Sequence, residues 1–221
     1  MENFSQTEEN YLKAIFKLSE KEDKPASTNA IAGEMSTSAA SVTDMLRRLA
    51  EKGLIHYEKY KGVALTEKGN KLATGLIRKH RLWEVFLLEK LRFSWDEVHE
   101  MAEQLEHIQS PELVERLDDY LGRPKFDPHG DPIPDAKGNF TFRKQVFLSS
   151  LLPNEAGAVV GVNDHSPAFL QYLDRIGLKL GTQLRIAERF DYDESLRVLL
   201  EDSGEQILSK KVSQNLFVQK F

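Results

Sequence analysis

The 221-residue chain contains no cysteine. Disulfides, thiolate metal ligands and cysteine nucleophiles are excluded together, so any metal ion bound here is held through oxygen and nitrogen. Long apolar runs are also missing, and none approaches the length needed to cross a bilayer. The segment from Met1 to Glu9 is polar and acidic, unlike a secretion signal, and the expected location is the cytoplasm. An excess of basic charge is lacking too, since the formal net charge is −5. That argues against indiscriminate coating of nucleic acid, but it leaves room for a specific reader with a local basic surface. Charged residues form 29% and hydrophobic residues 40% of the chain, which suits a folded protein of two or three small domains.

The most informative stretch runs from Val98 to Ile108. On a helix it places His99, Glu103, Glu106 and His107 on one side, with Met101, Ala102 and Leu105 pointing elsewhere. Two imidazoles and two carboxylates on one stripe call for positive charge among them, and a divalent metal ion is the simplest source. A second half-site lies upstream, where His80 and Glu84 are one helical turn apart. One such pair alone is most simply a His–Glu hydrogen bond on a solvated face. Two pairs plus Glu106 and His107 favour metal.

Ahead of these residues, Thr7 caps a helix with apolar positions at Tyr11, Leu12, Ile15, Phe16 and Leu18, and the charged run up to Pro25 ends it. Ser27 to Asn29 caps a short helix from Ala30 to Met35. Ser36 to Ser38 makes a turn and caps a longer one, Ala39 to Lys52, stopped by Gly53. Short helix, polar turn and longer helix are the layout of a helix-turn-helix. Two short strands between Leu54 and Thr66, with Lys59 and Lys61 at their tip, read as a wing over a phosphate backbone. A long helix follows from Thr66 to about Leu91. Ser94 then caps a helix from Trp95 to Gln109, and Pro111 starts one that reaches Leu121. Their Leu-, Phe- and Trp-rich surfaces suit partial burial in a two-fold dimer.

Gly122 to Pro134 is dense in turn residues, and His129 reads there as a loop residue. Beyond it five short strands are expected at 145–148, 157–162, 183–187, 195–200 and 215–218, with one helix from Pro167 to Ile176. They suit a small β-barrel.

In Arg78 to Leu82, Val98 to His107 and Pro128 to Pro134 the chain resembles the diphtheria toxin repressor family of metal-dependent transcriptional regulators. The resemblance covers essentially the whole chain. It implies a mainly α protein with a small β domain: an N-terminal winged helix-turn-helix over 1–72, a helical dimerisation and metal-binding domain over 73–142, and a C-terminal SH3-like β-barrel over 143–221, similar to a small ferrous-transport module. It further implies an ancillary metal site of His80, Glu84 and His99. The implied primary site holds Glu103, Glu106, His107 and Asn10, joined by Asp127 where some relatives have cysteine. Lys13 stands where some two-domain relatives have a glutamate that helps bind a second manganese ion. Ala168 and Gln171 fall where the C-terminal domain of some relatives lends ligands, with Asp164 and His165 in a nearby surface loop.

The functional expectation is a metal-activated homodimer that binds double-stranded operator DNA and represses metal-uptake genes. Mn²⁺ is the first choice of ion because the ligands are sulfur-free and oxygen-rich. Fe²⁺ is the alternative. Ser38, Ser41, Thr43, Asp44 and Arg47 are the candidate contacts of the recognition helix, and Lys59 and Lys61 those of the wing. Neither an organic substrate nor a membrane is expected. Two rivals remain open: a metallohydrolase that uses the His/Glu cluster to activate water, and a regulator switched by an organic effector.

Overall fold

The computed structural model describes residues 4–22, 24–58, 61–201 and 204–221. The chain divides into two compact units, one of Met1–His80, Glu103–Arg116 and Pro134–Phe140, the other of Arg81–Ala102, Leu117–Ile133 and Thr141–Phe221. Among the described residues no helix is long and apolar enough to cross a membrane.

In the first unit α1 (Gln6–Glu22), α2 (Thr28–Glu34) and α3 (Ala39–Glu51) precede the hairpin of β1 (Ile55–Glu58) and β2 (Gly62–Leu65). The cap of α1 is Ser5, not Thr7. Ser5 Oγ accepts from the Glu8 amide at 3.2 Å while Glu8 accepts from the Ser5 amide at 3.0 Å. This reciprocal Ser-x-x-Glu box satisfies two donors, which Thr7 alone cannot do. Ser27 and Ser38 cap α2 and α3, as their positions predict. Tyr11, Leu12 and Ile15 of α1 share one buried cluster with Ile31 of α2 and Val42, Leu46 and Leu49 of α3. The position of α1 is therefore tied by packing to that of α3.

The hairpin pairs Ile55 with Leu65 and Glu58 with Gly62. Gly62 has a φ of +95°, and a Cβ there would press on Pro25 and the Ala26 carbonyl. Lys59 lies outside the described residues.

Helix α4 (Glu67–Glu89) starts where Thr66 Oγ1 accepts from the Gly69 amide. The next helix is shorter than expected: α5 covers only Val98–Leu105, preceded by a turn in which Ser94 donates to Glu97. The chain turns at Glu106 and His107. Their side chains are engaged with other elements, and those buried polar contacts outweigh two more residues of helix. Helix α6 (Pro111–Tyr120) begins with proline at its first position.

The second unit contains a six-stranded antiparallel sheet of β3 (Val146–Phe147), β4 (Ala156–Val162), β5 (Gln183–Arg189), β6 (Leu196–Leu200), β7 (Gly204–Leu208) and β8 (Leu216–Lys220). The order is β3-β8-β4-β5-β6-β7, with register shifts in β4 and β5 that bend the strands. Helix α7 (Pro167–Arg175) and the four-residue α8 (Lys210–Ser213) complete it. Buried Leu196, Val198 and Leu200 alternate along β6 and meet Leu170 and Leu173 of α7 in one core. Strand β7 was absent from the sequence expectation. Only its last two residues are strongly apolar, and as an edge strand it exposes most of its length, so no alternation announces it. The fold is mainly helical with a small sheet domain.

Gly69 sits in the first turn of α4, where a Cβ would collide with the Leu54 carbonyl. Helix propensity alone would make Gly69→Ala stabilising by about 1 kcal/mol. We expect instead a loss of roughly 2 kcal/mol or more, read from denaturant unfolding. A more stable variant would disprove the close approach.

Candidate metal centre

Two clusters of ionisable side chains form, one in each unit. In the first, α1 presents Glu9, Asn10 and Lys13, three and four residues apart and so on one face. Glu103 comes from the last turn of α5, Glu106 and His107 from the turn after it, and His80 from α4. Glu106 is wholly buried. Its two carboxylate oxygens accept from Lys13 Nζ at 2.8 and 2.7 Å, and Glu103 Oε1 accepts from the same ammonium at 2.7 Å. His80 Nδ1 lies 2.6 Å from Glu106 Oε2, and since a carboxylate only accepts, the imidazole donates there.

His107 Nδ1 donates to Glu9 Oε2 at 2.5 Å, and Gln109 Nε2 donates to the other oxygen of Glu9 at 2.7 Å. A carboxylate on Nδ1 fixes the tautomer and leaves Nε2 with the lone pair, 3.8 Å from Glu106 Oε1. Glu9 escaped the sequence reading, although it adjoins Asn10. The Oδ1 atom of Asn10 is buried without a hydrogen-bond partner. An unpaired buried carbonyl oxygen costs on the order of 1–3 kcal/mol, and a cation would satisfy it. By donor chemistry alone, Asn10, Glu103, Glu106 and His107 would offer three oxygens and one imidazole, which suits a hard or borderline divalent ion.

The second cluster gathers Glu84 of α4 with Asp127 and His129 of the loop after α6. One ligand atom from each lies within 4.8 Å of the others, and all three residues are buried. His99 of α5 adjoins it, with Nδ1 3.2 Å from Glu84 Oε1. The loop is shaped by its own backbone: Asp127 Oδ1 accepts from the amides of His129 and Asp131, both at 2.9 Å, and Gly130 takes a φ of +92°. Arg143 donates to the Gly130 carbonyl at 2.7 Å and also reaches the Val160 carbonyl. His129 Nε2 donates to the Trp95 carbonyl at 2.9 Å, and the ring of His165 stacks on His129 at 4.9 Å.

Burial, reinforced by the charges of Glu84 and Asp131, pushes Asp127 up to about 7. Burial acts to lower His129, but its contact with Glu84 and the charges of Glu84 and Asp127 prevail and raise it to about 9.

Asp127, expected in the primary site, lies with Glu84 and His129 in the second unit. His80, expected with Glu84 and His99 in the ancillary site, donates to Glu106 within the first unit. His129 is a buried cluster member and not a plain loop residue. Gln171 is occupied with Asp96, to which it donates at 2.7 Å. His165 is largely buried beside His129. The signal that could have found His129 is the proline-bracketed run from Pro128 to Pro134, whose tight turns hold its side chain inward.

On the candidate DNA side, Ser38 and Ser41 are exposed at the start of α3 with their hydroxyls 2.9 Å apart. Thr43 Oγ1 donates back to the Ala39 carbonyl at 2.8 Å. Asp44 and Arg47 form an exposed pair at 3.3 Å, and Lys61 of the wing pairs with Glu58 at 2.7 Å.

Known protein families match in succession along the chain. An iron-dependent repressor N-terminal DNA-binding domain matches residues 3–63, an iron-dependent repressor metal-binding and dimerisation domain residues 66–135, and a FeoA domain residues 146–220. Among solved structures, a manganese-dependent transcriptional repressor in complex with manganese is 34% identical over 97% of this chain and 100% of that one, with a TM-score of 0.84. The chain belongs to the diphtheria toxin repressor family of metal-dependent transcriptional regulators.

The manganese regulator SloR is 35% identical over 97% of this chain and 98% of its own, with a TM-score of 0.72. The iron-dependent repressor IdeR of Mycobacterium bovis is 35% identical over 134 residues, 61% of this chain and 58% of that protein. The chain thus spans less than two thirds of the length of the curated relatives it matches. The diphtheria toxin repressor family consists of DNA-binding transcriptional repressors and not of enzymes, which removes the metallohydrolase alternative.

Within this repressor fold the second cluster makes metal-free stability depend on pH. His129 has a folded value of about 9 against an ordinary 6.5. Its contribution is therefore fully present below 6.5 and lost as pH rises through 9. Asp127 works in the same direction at lower pH, its contribution full below 3.8 and lost as pH rises through about 7. We expect the metal-free protein to lose on the order of 2 kcal/mol between pH 6.5 and 9, and Glu84→Gln to flatten that slope. Thermal melts in chelator across this range check it, and a midpoint that holds or rises would contradict it.

Proposed function

We propose that the chain is a metal-activated, homodimeric repressor that binds operator DNA upstream of metal-uptake genes in the cytoplasm, with Mn²⁺ as the preferred ion and Fe²⁺ as the second. The observation that carries this reading is the first cluster: a sulfur-free donor set in which Asn10 Oδ1 is buried without a partner. The division into 1–72 for DNA binding, 73–142 for dimerisation and metal binding, and 143–221 for the sheet domain belongs to the same reading.

Asn10, Glu103, Glu106 and His107 are the proposed primary ligands, and Glu84, Asp127 and His129, with His99 alongside, the proposed second set. Glutamate at 103 and aspartate at 127 favour a hard ion. Such an ion binds weakly by nature, so its selection over stronger binders rests on ligand type and not on raw affinity. A divalent ion at the first set would supply a cation that joins α1 to the turn after α5.

The remaining work is done by the chain's own residues. Glu9 holds the His107 ring so that Nε2 faces inward. The opposite face of α1, through Tyr11, Leu12 and Ile15, bears on Val42, Leu46 and Leu49 of α3. Fixing α1 therefore fixes α3, whose exposed Ser38, Ser41, Asp44 and Arg47 and half-buried Thr43 are the proposed contacts to bases and phosphates. Lys59 and Lys61 serve the wing. In a two-fold dimer two such helices must meet major grooves one helical turn or a multiple apart, so restraining each head raises affinity by linkage.

Two experiments test this. Demetallated protein titrated with Mn²⁺ or Fe²⁺ on its own upstream promoter DNA should bind tightly only with metal, and Glu103→Ala should abolish the response. DNA binding indifferent to chelator would refute the metal switch and favour an organic effector. Glu9→Gln keeps the shape but weakens the hold on His107, and we expect Mn²⁺ affinity measured by calorimetry to fall roughly tenfold to a hundredfold. An unchanged affinity would remove Glu9 from the site.

A further inference from the structure

We propose that Lys13 is a tethered cation that competes with the divalent ion for Glu103 and Glu106 and thereby sets the metal concentration at which the repressor responds. This rests on the primary ligand set proposed above. The Lys13 side chain is only 7% exposed, and its ammonium sits 2.7 Å from Glu103 Oε1 and 2.7 Å from Glu106 Oε2. It also lies 2.8 Å from Glu106 Oε1 and 3.5 Å from His80 Nδ1. A lysine that merely decorated α1 would keep its ammonium in water. This one has exchanged water for the very oxygens that a metal would use.

The backbone makes the arrangement obligatory. Lys13 is one helical turn from Glu9 and Asn10, so any position of α1 that presents Asn10 Oδ1 to the cluster brings the ammonium with it. The buried Glu106 carboxylate needs positive charge whether or not metal is present, and Lys13 supplies it from within the chain. A divalent ion must then either displace the ammonium or bind beside it. Both routes cost affinity, the first through lost ion pairs and the second through repulsion between like charges in a poorly solvated site. The result is a weaker site with a higher threshold, and without metal these ion pairs alone hold α1 to the turn after α5, a restraint that the ion would strengthen.

The test is calorimetric titration of full-length metal-free protein with MnCl₂ at one pH, in an Asp127→Asn background that silences the second cluster. Wild-type Lys13, Lys13→Gln, Lys13→Met, Lys13→Arg and Glu106→Gln are compared, with thermal melts at each metal concentration. Loss of the charge in Lys13→Gln and Lys13→Met should tighten Mn²⁺ binding at least about tenfold, whereas Lys13→Arg, which keeps it, should stay within about threefold. The metal-free midpoint should fall in both neutral variants and recover on Mn²⁺ addition, which gives the affinity by linkage even where the metal-free variant is unfolded. Equal or weaker Mn²⁺ binding by the neutral variants, with binding still lost in Glu106→Gln, would overturn the role of Lys13 and leave the ligand set standing. Binding that Glu106→Gln does not affect would overturn the ligand set and this inference with it.

Discussion

A carboxylate with no solvent exposure must be met by positive charge or by donors, and Glu106 is such a carboxylate. Leaving it bare would cost several kcal/mol, more than a domain of this size can spare. Lys13 from α1 and His80 from α4 meet it, and in doing so they determine where α1 can lie. The charged pocket is therefore structural before it is functional. It anchors the first helix of the DNA-binding region to the turn after α5.

Once α1 is anchored on its polar face, its apolar face transmits the constraint. Tyr11, Leu12 and Ile15 pack in the same close cluster as the buried side of α3. Closely packed interiors yield little, so a displacement of α1 is passed on and not absorbed. The exposed start of α3, with its capping serines and the Asp44–Arg47 pair, is thus coupled to the charged pocket by two steps of ordinary packing. No long pathway is needed.

Much of this was legible in the residues. Helix starts at Ser27, Ser38 and Pro111 are local chemistry, and so is the wing between Gly53 and Thr66. The polar stripe of Glu103, Glu106 and His107, the proposed ligands, could be read from one short stretch. What escaped was decided by partners distant in sequence. Helix α5 stops at Leu105 because Glu106 and His107 find buried partners on α1 and α4, which no window of neighbouring residues reveals. Glu9 looks like one more acidic residue near a helix start until His107 and Gln109 close on it. His129 reads as a loop residue because the turns around it are visible and the Glu84 carboxylate against its ring is not. Strand β7 is silent because an exposed edge imposes no alternation.

The two clusters solve one electrostatic problem by different means. Both bring acidic groups together in poorly solvated surroundings. The first balances them with a covalently attached ammonium, whose charge is set by the sequence. The second balances them with protons, held on Asp127 because burial and the Glu84 charge favour the neutral acid, and on His129 because its contact with Glu84 outweighs burial. At the proposed sites, an ion entering the first would contend with a lysine, and an ion entering the second would displace protons. The first exchange is governed by the length and charge of one side chain, the second by the acidity of the surroundings. Two sites built from the same few residue types can therefore answer to different conditions inside one chain.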